Sequence, residues 1–441
     1  MKKPIFIIII MALVVLVGGW WLLSTYLEFE KPAIGFSDDI KFIGNQTVLD
    51  ILFTDQKSGL RNTTVNLVQN GKTTEIFTHH YDRRGTKKHT LSLPVDTVGL
   101  KLRNGPATLQ ITAVDYSLLK NKASSSRQIN IDIIPPRIYK LNPTNHINPG
   151  GTCVVVYRLS EPVSMSGVEV NQYLFKGYPI IVNEKPFNVC YFAMPVDAGK
   201  TGAQIRIVAE DQAGNKASVS LPYLLLGKKF RNDKMRISDN FLQQKMPDFQ
   251  YANPDLRQKT LLDTFIYVNS TLREDNFKSI QAICQNSQPE PLWQGTFLRM
   301  KNAAPMALFG DKRTYVHNGK TIGNSIHMGV DLASTQQAPV EAANSGFVAF
   351  AGDLGIYGNT VIIDHGLGLF SLYAHLSTMS VQKDAQVKKG EIIGTSGLSG
   401  LAGGDHLHFS IVVGGRFVDP IEWWDSHWIA DNVQKKIAAA Q

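Results

Sequence analysis

The chain has 441 residues, 43% of them hydrophobic and 19% charged, and carries a formal net charge of +8. The apolar content excludes an intrinsically disordered protein, and the length allows about two to four domains. The basic residues form no dense run, so the positive charge favours an anionic envelope polymer as partner rather than nucleic acid. We therefore expect no nucleic-acid partner.

Residues 1–27 are predicted to form a short cytoplasmic tip and a transmembrane anchor. Lys2 and Lys3 precede an uncharged apolar run from Ile5 to Leu27. A spanning helix needs about 20 apolar residues, whereas a cleavable signal peptide has a shorter core followed by a small-residue cleavage site, which this sequence lacks. We favour an uncleaved anchor over a removed signal peptide. Because positive flanks stay in the cytoplasm, we expect a single-pass inner (cytoplasmic) membrane protein whose later domains are periplasmic or extracellular.

Residues 34–135 and 136–226 are predicted to form two immunoglobulin-like β-sandwiches. The apolar run that ends at Asp115 is repeated in the run that ends at Asp211, 96 positions later (211 − 115). That spacing is about the length of one immunoglobulin-like domain, and Pro135-Pro136 marks the boundary. The pattern resembles bacterial immunoglobulin-like domains. We favour a stalk over a specific binding surface.

The three cysteines leave one question open. Cys153 and Cys190 lie in strand-like runs of the second predicted sandwich, and Cys284 lies outside it. A Cys153–Cys190 disulfide is compatible with a location outside the cytoplasm, and two reduced core cysteines fit equally well. Their separation excludes a C-x-x-C metal site.

Residues 227–290 are predicted to form a helical linker or lid. We expect one helix from Ser238 to just before Pro247, a second opening at Pro254, and a third from 274 to 284. A packing collar between the sandwiches and the C-terminal domain is the favoured interpretation. A lid over a neighbouring groove or a dimer surface is the alternative.

Residues 291–425 are predicted to form an antiparallel β domain, because short apolar runs such as 346–350 and 370–376 are separated by glycine turns. Residues 426–441 follow as a tail, which is expected to form a short surface helix without a chemical role. The whole chain is therefore expected to be mainly β.

This domain contains histidines and an aspartate at metal-binding spacings. His406 and His408 are two apart in a predicted strand, so both imidazoles project from the same face. His327 and Asp331 are four apart and could supply a nitrogen and a carboxylate oxygen. Catalytic zinc takes three such ligands and leaves a fourth position for water. The pattern indicates a hydrolytic metal site.

The same stretch resembles the lysostaphin-like or LytM-type zinc endopeptidases of bacterial cell walls. The family motif is H-x-x-x-D followed by H-x-H, which matches His327, Asp331, His406 and His408. Further short motifs typical of the family occur in the same order at 357–359, 373–376, 387–394 and 396–397. The resemblance covers about residues 295 to 425. Several short motifs in the family's order are more specific evidence than either metal-binding motif alone.

The resemblance implies the duplicated hybrid motif fold and one Zn²⁺ per chain, with His327, Asp331 and His408 as metal ligands. It also implies that His375 and His406 form the catalytic pair. Zinc lowers the pKa of bound water toward about 7, and a histidine can move protons near neutral pH. The division of labour between His375 and His406 stays open.

Two further residues of this domain are interpreted without a catalytic role. His365 is interpreted as a turn or supporting residue at a strand end. Tyr357 fits a groove wall and a core position equally well.

The leading hypothesis is a membrane-anchored zinc metalloendopeptidase that hydrolyses stem or cross-link peptides of peptidoglycan during cell-wall remodelling. Its expected partners are peptidoglycan and, through the N-terminal helix, the membrane; its protein partners stay open. One alternative is a non-catalytic wall-binding activator or scaffold of cell-wall hydrolases that keeps the peptidase fold. Another is an adhesion protein that acts through its sandwiches. The complete set of ligand positions favours the enzyme.

Overall fold

The computed structural model describes residues 3–141 and 145–439. Strands hold 43% of the chain and helices 19%, so the protein is mainly β, as predicted. It divides into two compact units. The first contains the residues up to Pro136 with Glu161–Ser164 and Glu210–Ala217, and the second contains the rest. Most of the second predicted sandwich therefore belongs to the same unit as the C-terminal domain.

The first unit begins with helix α1, Lys3–Tyr26. Within residues 3–141 and 145–439, no helix combines the length and the apolar character needed to cross a membrane. The predicted anchor includes Met1 and Lys2, which lie outside the described residues.

The first sandwich has a three-stranded sheet ordered β1-β3-β6 and a five-stranded sheet ordered β2-β8-β7-β4-β5. Buried and exposed residues alternate along its strands, so each sheet turns one apolar face into a shared core. The strands are β1 Ala33–Phe36, β2 Phe42–Ile43, β3 Val48–Thr54, β4 Leu60–Gln69, β5 Lys72–His80, β6 Lys88–Pro94, β7 Gly105–Asp115 and β8 Lys122–Ile131.

The second sandwich has two four-stranded sheets, ordered β14-β15-β11-β9 and β13-β12-β16-β17, and a parallel pair β10-β18. Its elements are β9 Ile138–Lys140, β10 Asn145–Ile147, β11 Thr152–Leu159, β12 Val163–Val170, β13 Tyr173–Lys176, β14 Tyr178–Val182, β15 Lys185–Ala193, helix α2 Ala198–Thr201, β16 Ile205–Asp211, β17 Lys216–Ser220 and β18 Tyr223–Leu225. Cys153 on β11 lies opposite Phe192 on β15, and Cys190 lies opposite Val155. Cys153, Cys190 and Cys284 are all free and buried, which favours the reduced alternative.

The segment 227–290 differs from its predicted outline in three places. It begins with a strand, β19 Asn232–Arg236, which pairs in parallel with a strand of the C-terminal domain. Helix α3, Asp239–Ala252, continues through Pro247 instead of ending before it. Proline removes one helical hydrogen bond, and the turns beyond it bury Phe249, which offsets that loss. Pro254 opens a short 3₁₀ turn rather than the second helix.

The two later helices of this segment are α4 Leu261–Tyr267 and α5 Arg273–Ile283, joined by a π-helical turn, Val268–Leu272. Helix α4 begins after Thr260, whose side chain accepts a hydrogen bond from the Asp263 N–H, a regular N-cap. The buried side chains of α3, α4 and α5 join the core of the second unit. The segment is thus packed against the core of the second unit.

The C-terminal domain contains one long antiparallel sheet with the strand order β20-β23-β31-β27-β26-β25-β29, onto which β32 pairs through β31. Two smaller sheets, β19-β21-β22 and β24-β30-β28, flank it. The strands are β20 Ala304–Ala307, β21 Lys312–His317, β22 Lys320–Ile326, β23 Val330–Ala333, β24 Pro339–Glu341, β25 Gly346–Asp353, β26 Asn359–Asp364, β27 Leu369–Ala374, β28 Thr378–Met379, β29 Gln386–Val387, β30 Ile392–Thr395, β31 Leu407–Val413 and β32 Arg416–Val418. The central strands β26, β27 and β31 are almost wholly buried, which makes this sheet a rigid base.

The C-terminal residues contribute to the core. Helices α6 Pro420–Trp424, α7 Ser426–Ile429 and α8 Lys435–Ala438 follow β32. Ile429 and Val433 are buried in the core of the second unit, so the tail is a packed element rather than a surface helix. Trp423, also fully buried, donates from Nε1 to the Thr152 hydroxyl at 3.1 Å and so connects the C-terminal domain to the second sandwich.

The buried Glu422 makes this connection sensitive to pH. Its carboxylate accepts the Thr152 N–H at 2.7 Å, and burial raises the pKa of Glu422 from 4.5 to about 7. The folded protein therefore binds this proton more tightly than the unfolded chain does. The free energy of unfolding should fall as the pH rises from about 4.5 to about 7, by about 3 kcal/mol from this one group.

Glu422→Gln keeps an oxygen that can accept the Thr152 N–H but cannot ionise. We expect the variant to match the wild type at pH 5 and to be more stable at pH 8, as measured by denaturant unfolding of both proteins. Parallel pH curves for the two proteins would contradict this account of Glu422.

Candidate metal centre

Three side chains of the C-terminal domain direct donor atoms at one point. His327 Nε2 lies 2.9 Å from Asp331 Oδ1 and 3.0 Å from His408 Nδ1, and His408 Nδ1 lies 2.9 Å from the same Asp331 oxygen. All three residues are buried. The edges of a tetrahedral zinc site with bonds of 2.0–2.1 Å are roughly 3.3 Å long, so the donor set fits a zinc ion after small outward shifts. These residues form a group able to hold a metal ion.

Strand register explains why these residues meet. Asp331 on β23 lies directly opposite His408 on β31, and β31 also pairs with β27, which places Ala374 beside His408. Gly329 allows the chain just before β23 to approach β31 closely. A Cβ at this position would lie 2.5 Å from Ser410 Oγ and 2.6 Å from His408 Nε2, which is too close for any other residue.

A second set of hydrogen bonds fixes which atoms face the centre. His327 Nδ1 lies 3.0 Å from the Leu308 carbonyl, and His408 Nε2 lies 3.0 Å from Ser410 Oγ. Arg313 Nη2 donates to Asp331 Oδ2 at 3.0 Å. Each ligand candidate is therefore held through the atom that points away from the centre, an arrangement typical of metal sites.

The electrostatics suit a metal cation. Burial lowers the pKa of His408 to about 4, so this ring is neutral and can coordinate. Burial alone would raise the pKa of Asp331, but hydrogen bonds from His327 and His408 outweigh it and hold that pKa well below its ordinary value. The site thus presents the Asp331 carboxylate and the neutral His408 imidazole at physiological pH.

His375 and His406 stand beside the three donors. Their ring centroids are 4.9 Å apart, and the His375 ring is 5.9 Å from the His408 ring. His375 Nδ1 lies 2.9 Å from the Ser399 carbonyl, and His406 Nδ1 lies 2.8 Å from the Gly404 carbonyl. Since a carbonyl can only accept, each Nδ1 carries the proton, and each Nε2 is left as an acceptor. The structure therefore brings together all five residues that the sequence singled out.

The backbone of His375 is unusual. It has a φ of 61°, a left-handed conformation that non-glycine residues rarely adopt, and its N–H donates to the Tyr357 carbonyl at 2.8 Å. Such strained positions cluster at functional sites. Burial, followed by the charges of His406 and His408, holds the pKa of His375 well below its ordinary value.

The structure gives Tyr357 and His365 different positions. Tyr357 lines the cavity, with its ring centroid 5.6 Å from that of His408, and burial raises its pKa to about 12. His365 is fully buried and is held by the Ser345 carbonyl and the Ser371 hydroxyl, each at 2.7 Å. His365 is thus a supporting residue of the sheet.

The centre opens into a cavity of about 670 Å³. One wall comes from the C-terminal domain and the other from 235–238 and the helices α3, α4 and α5. Sequence reasoning missed Arg273, Phe277 and Arg313 of this cavity. No motif marks them, because their position depends on how distant segments pack.

Comparison with known proteins shows which family the C-terminal domain matches. Residues 325–420 match the model of peptidase family M23. The DD-carboxypeptidase/endopeptidase Mpg of Neisseria meningitidis serogroup B is 43% identical over 96 residues, which are 22% of this chain and 22% of that protein. The murein hydrolase activator NlpD of Salmonella dublin is 38% identical over 96 residues, 22% of this chain and 25% of that protein. This chain thus spans about a fifth to a quarter of the length of these two curated relatives.

The lipoprotein NlpD of Yersinia enterocolitica is covered almost completely. It is 38% identical over 94 residues, which are 21% of this chain and 96% of that protein. The matched region includes the H-x-x-x-D and H-x-H motifs and the strands that carry them. Through this domain, the chain belongs to peptidase family M23, which confirms the resemblance to the lysostaphin and LytM-type peptidases.

Proposed function

We propose that this protein is a zinc-dependent endopeptidase that hydrolyses peptide bonds in the stem or cross-link peptides of peptidoglycan. The observation that carries the proposal is the convergence of His327, Asp331 and His408 on one point, with His375 and His406 in the same cavity. Membership of a peptidase family supports the reaction class. Two relatives, an endopeptidase and a murein hydrolase activator, support peptidoglycan as the substrate.

In this proposal, His327 Nε2, Asp331 Oδ1 and His408 Nδ1 hold the zinc ion. A bound zinc ion would polarise the scissile carbonyl and acidify a water molecule. His375, kept neutral by burial, offers Nε2 as the acceptor for a proton of that water. The proton that His375 Nε2 accepts can then pass to the leaving amine. His406 lies beside this ring, and its Nε2 can stabilise the oxyanion once that nitrogen is protonated.

We also propose that the protein is anchored in the cytoplasmic membrane with its N-terminus inside. The support is the uncharged run from Ile5 to Leu27 behind Lys2 and Lys3. Peptidoglycan lies on the outer side of that membrane, so location and substrate agree. The role of the sandwiches as a stalk stays a prediction.

The test is digestion of cross-linked peptidoglycan by the full-length, zinc-loaded protein, followed by mass spectrometry of the released stem peptides. We expect cross-linked dimers to be converted into monomers with a new free amine for each bond cut. Unchanged dimers would overturn the proposal. In that case, faster digestion when a separate murein hydrolase is added would identify the activator alternative.

A further inference from the structure

The cavity beside the metal centre contains a guanidinium group whose orientation is fixed by the protein. Arg273, the first residue of α5, lines the cavity together with the five site residues. Its Nη2 donates to Asn269 Oδ1 at 3.0 Å and its Nε to the Asn269 carbonyl at 3.3 Å. Asn269 is 5% exposed and therefore has little freedom to move. The arginine is pre-organised by its own helix.

Arg273 has no carboxylate within ion-pair distance of its guanidinium among the residues that the structure describes. The neighbouring acidic groups are engaged elsewhere: Asp331 with Arg313 at 3.0 Å, and Glu274 with Lys278 at 3.3 Å. A fixed cation without a counter-charge, in a cavity built to receive a ligand, indicates that the ligand brings the negative charge.

Arg273 lines the same cavity as Tyr357 and the five site residues. Its charge partly offsets the burial that raises the pKa of Tyr357. The Tyr357 ring centroid is in turn 5.6 Å from that of His408. A peptide held at the metal centre would therefore pass Arg273 within the same cavity.

We propose that Arg273 binds a free carboxylate of the substrate, so that the cavity selects peptides with a carboxylate next to the scissile amide. Asn269 uses the Nε hydrogen and one Nη2 hydrogen, which leaves both Nη1 hydrogens and the other Nη2 hydrogen for the ligand. That end of the group matches the two oxygens of a carboxylate in a bidentate pair. The peptide nature of the ligand rests on the proposed function; the selection for a carboxylate is the new element.

The test is a binding measurement that does not depend on hydrolysis. The full-length, zinc-loaded His406→Ala variant is titrated with two synthetic cross-linked stem peptides, identical except for a carboxylate or a carboxamide on the residue next to the cross-link. We expect the carboxylate peptide to bind about 10- to 100-fold more tightly, the range of a charge-assisted hydrogen-bond pair. Adding Arg273→Gln should make the two affinities equal, and Arg273→Lys should retain part of the difference.

Arg257→Gln is the matched control, because Arg257 lies in the same segment, is exposed and is not part of the cavity wall. It should keep the full preference. Equal affinities for the two peptides before Arg273 is changed, a preference that survives Arg273→Gln, or no binding of either peptide would each overturn the proposal. Since affinity is read directly, this outcome is independent of whether the wild type cleaves peptidoglycan.

Discussion

His408→Ala is expected to abolish both zinc binding and peptidoglycan hydrolysis. His408 Nδ1 lies within 3.0 Å of both other donor atoms, so its removal leaves a two-residue site. A site with two protein ligands has a much lower affinity for zinc than a site with three. We expect kcat/KM to fall by at least about a thousand-fold, since a bound zinc ion would supply both the nucleophile and the polarisation of the carbonyl. Metal content by elemental analysis and release of free amines measure the two effects on the same preparation.

His427→Ala is the matched control for this variant. His427 is exposed at the start of α7 and is not part of the cavity wall, so zinc content and activity should not change. Full activity or stoichiometric zinc in His408→Ala would remove His408 from the metal site and with it the proposed ligand set.

His375→Ala is expected to separate catalysis from metal binding. His375 is not one of the three converging donors, and its Nδ1 is occupied by the Ser399 carbonyl. The variant should therefore bind zinc like the wild type. We expect kcat to fall by about 10²- to 10⁴-fold, the usual contribution of a positioned general acid or base. Single-turnover kinetics at saturating substrate, with zinc content measured in parallel, check both expectations.

The same measurement on His406→Ala compares the two histidines. His365→Ala is a poor control, because His365 is fully buried and its loss would disturb the sheet. Loss of zinc from His375→Ala would contradict the division into ligands and catalytic residues. Wild-type turnover in His375→Ala would exclude the role proposed for this ring in moving protons.

The candidate site could be predicted from sequence because its residues stand in motifs, and the resemblance to the LytM-type peptidases implied which of them are ligands and which are catalytic. The spacing of His406 and His408 by itself indicated a metal site; His408 lies on β31, and His406 directly precedes that strand in a bridge to Gly397. Pairing of β23 with β31 then supplies Asp331. The mainly β class followed from short apolar runs separated by glycine turns and from the repeat that marks the two sandwiches.

The parts that were missed depend on tertiary packing. Helix α3 continues through Pro247 because burial beyond the proline offsets one lost hydrogen bond, and no local rule reveals that burial. The tail, residues 426–441, was expected to form a surface helix, yet Ile429 and Val433 are buried. Arg273 carries no motif, and its place in the cavity follows only from the docking of α5.

The most direct test of the central claim uses the full-length wild type alone, treated with a chelator, dialysed and then given back increasing zinc. We expect peptidoglycan cleavage to disappear when the metal is removed. It should return in proportion to bound zinc and reach its maximum at one ion per chain. Cleavage that persists in the zinc-free protein, or a zinc-loaded protein that releases no free amines, would contradict it.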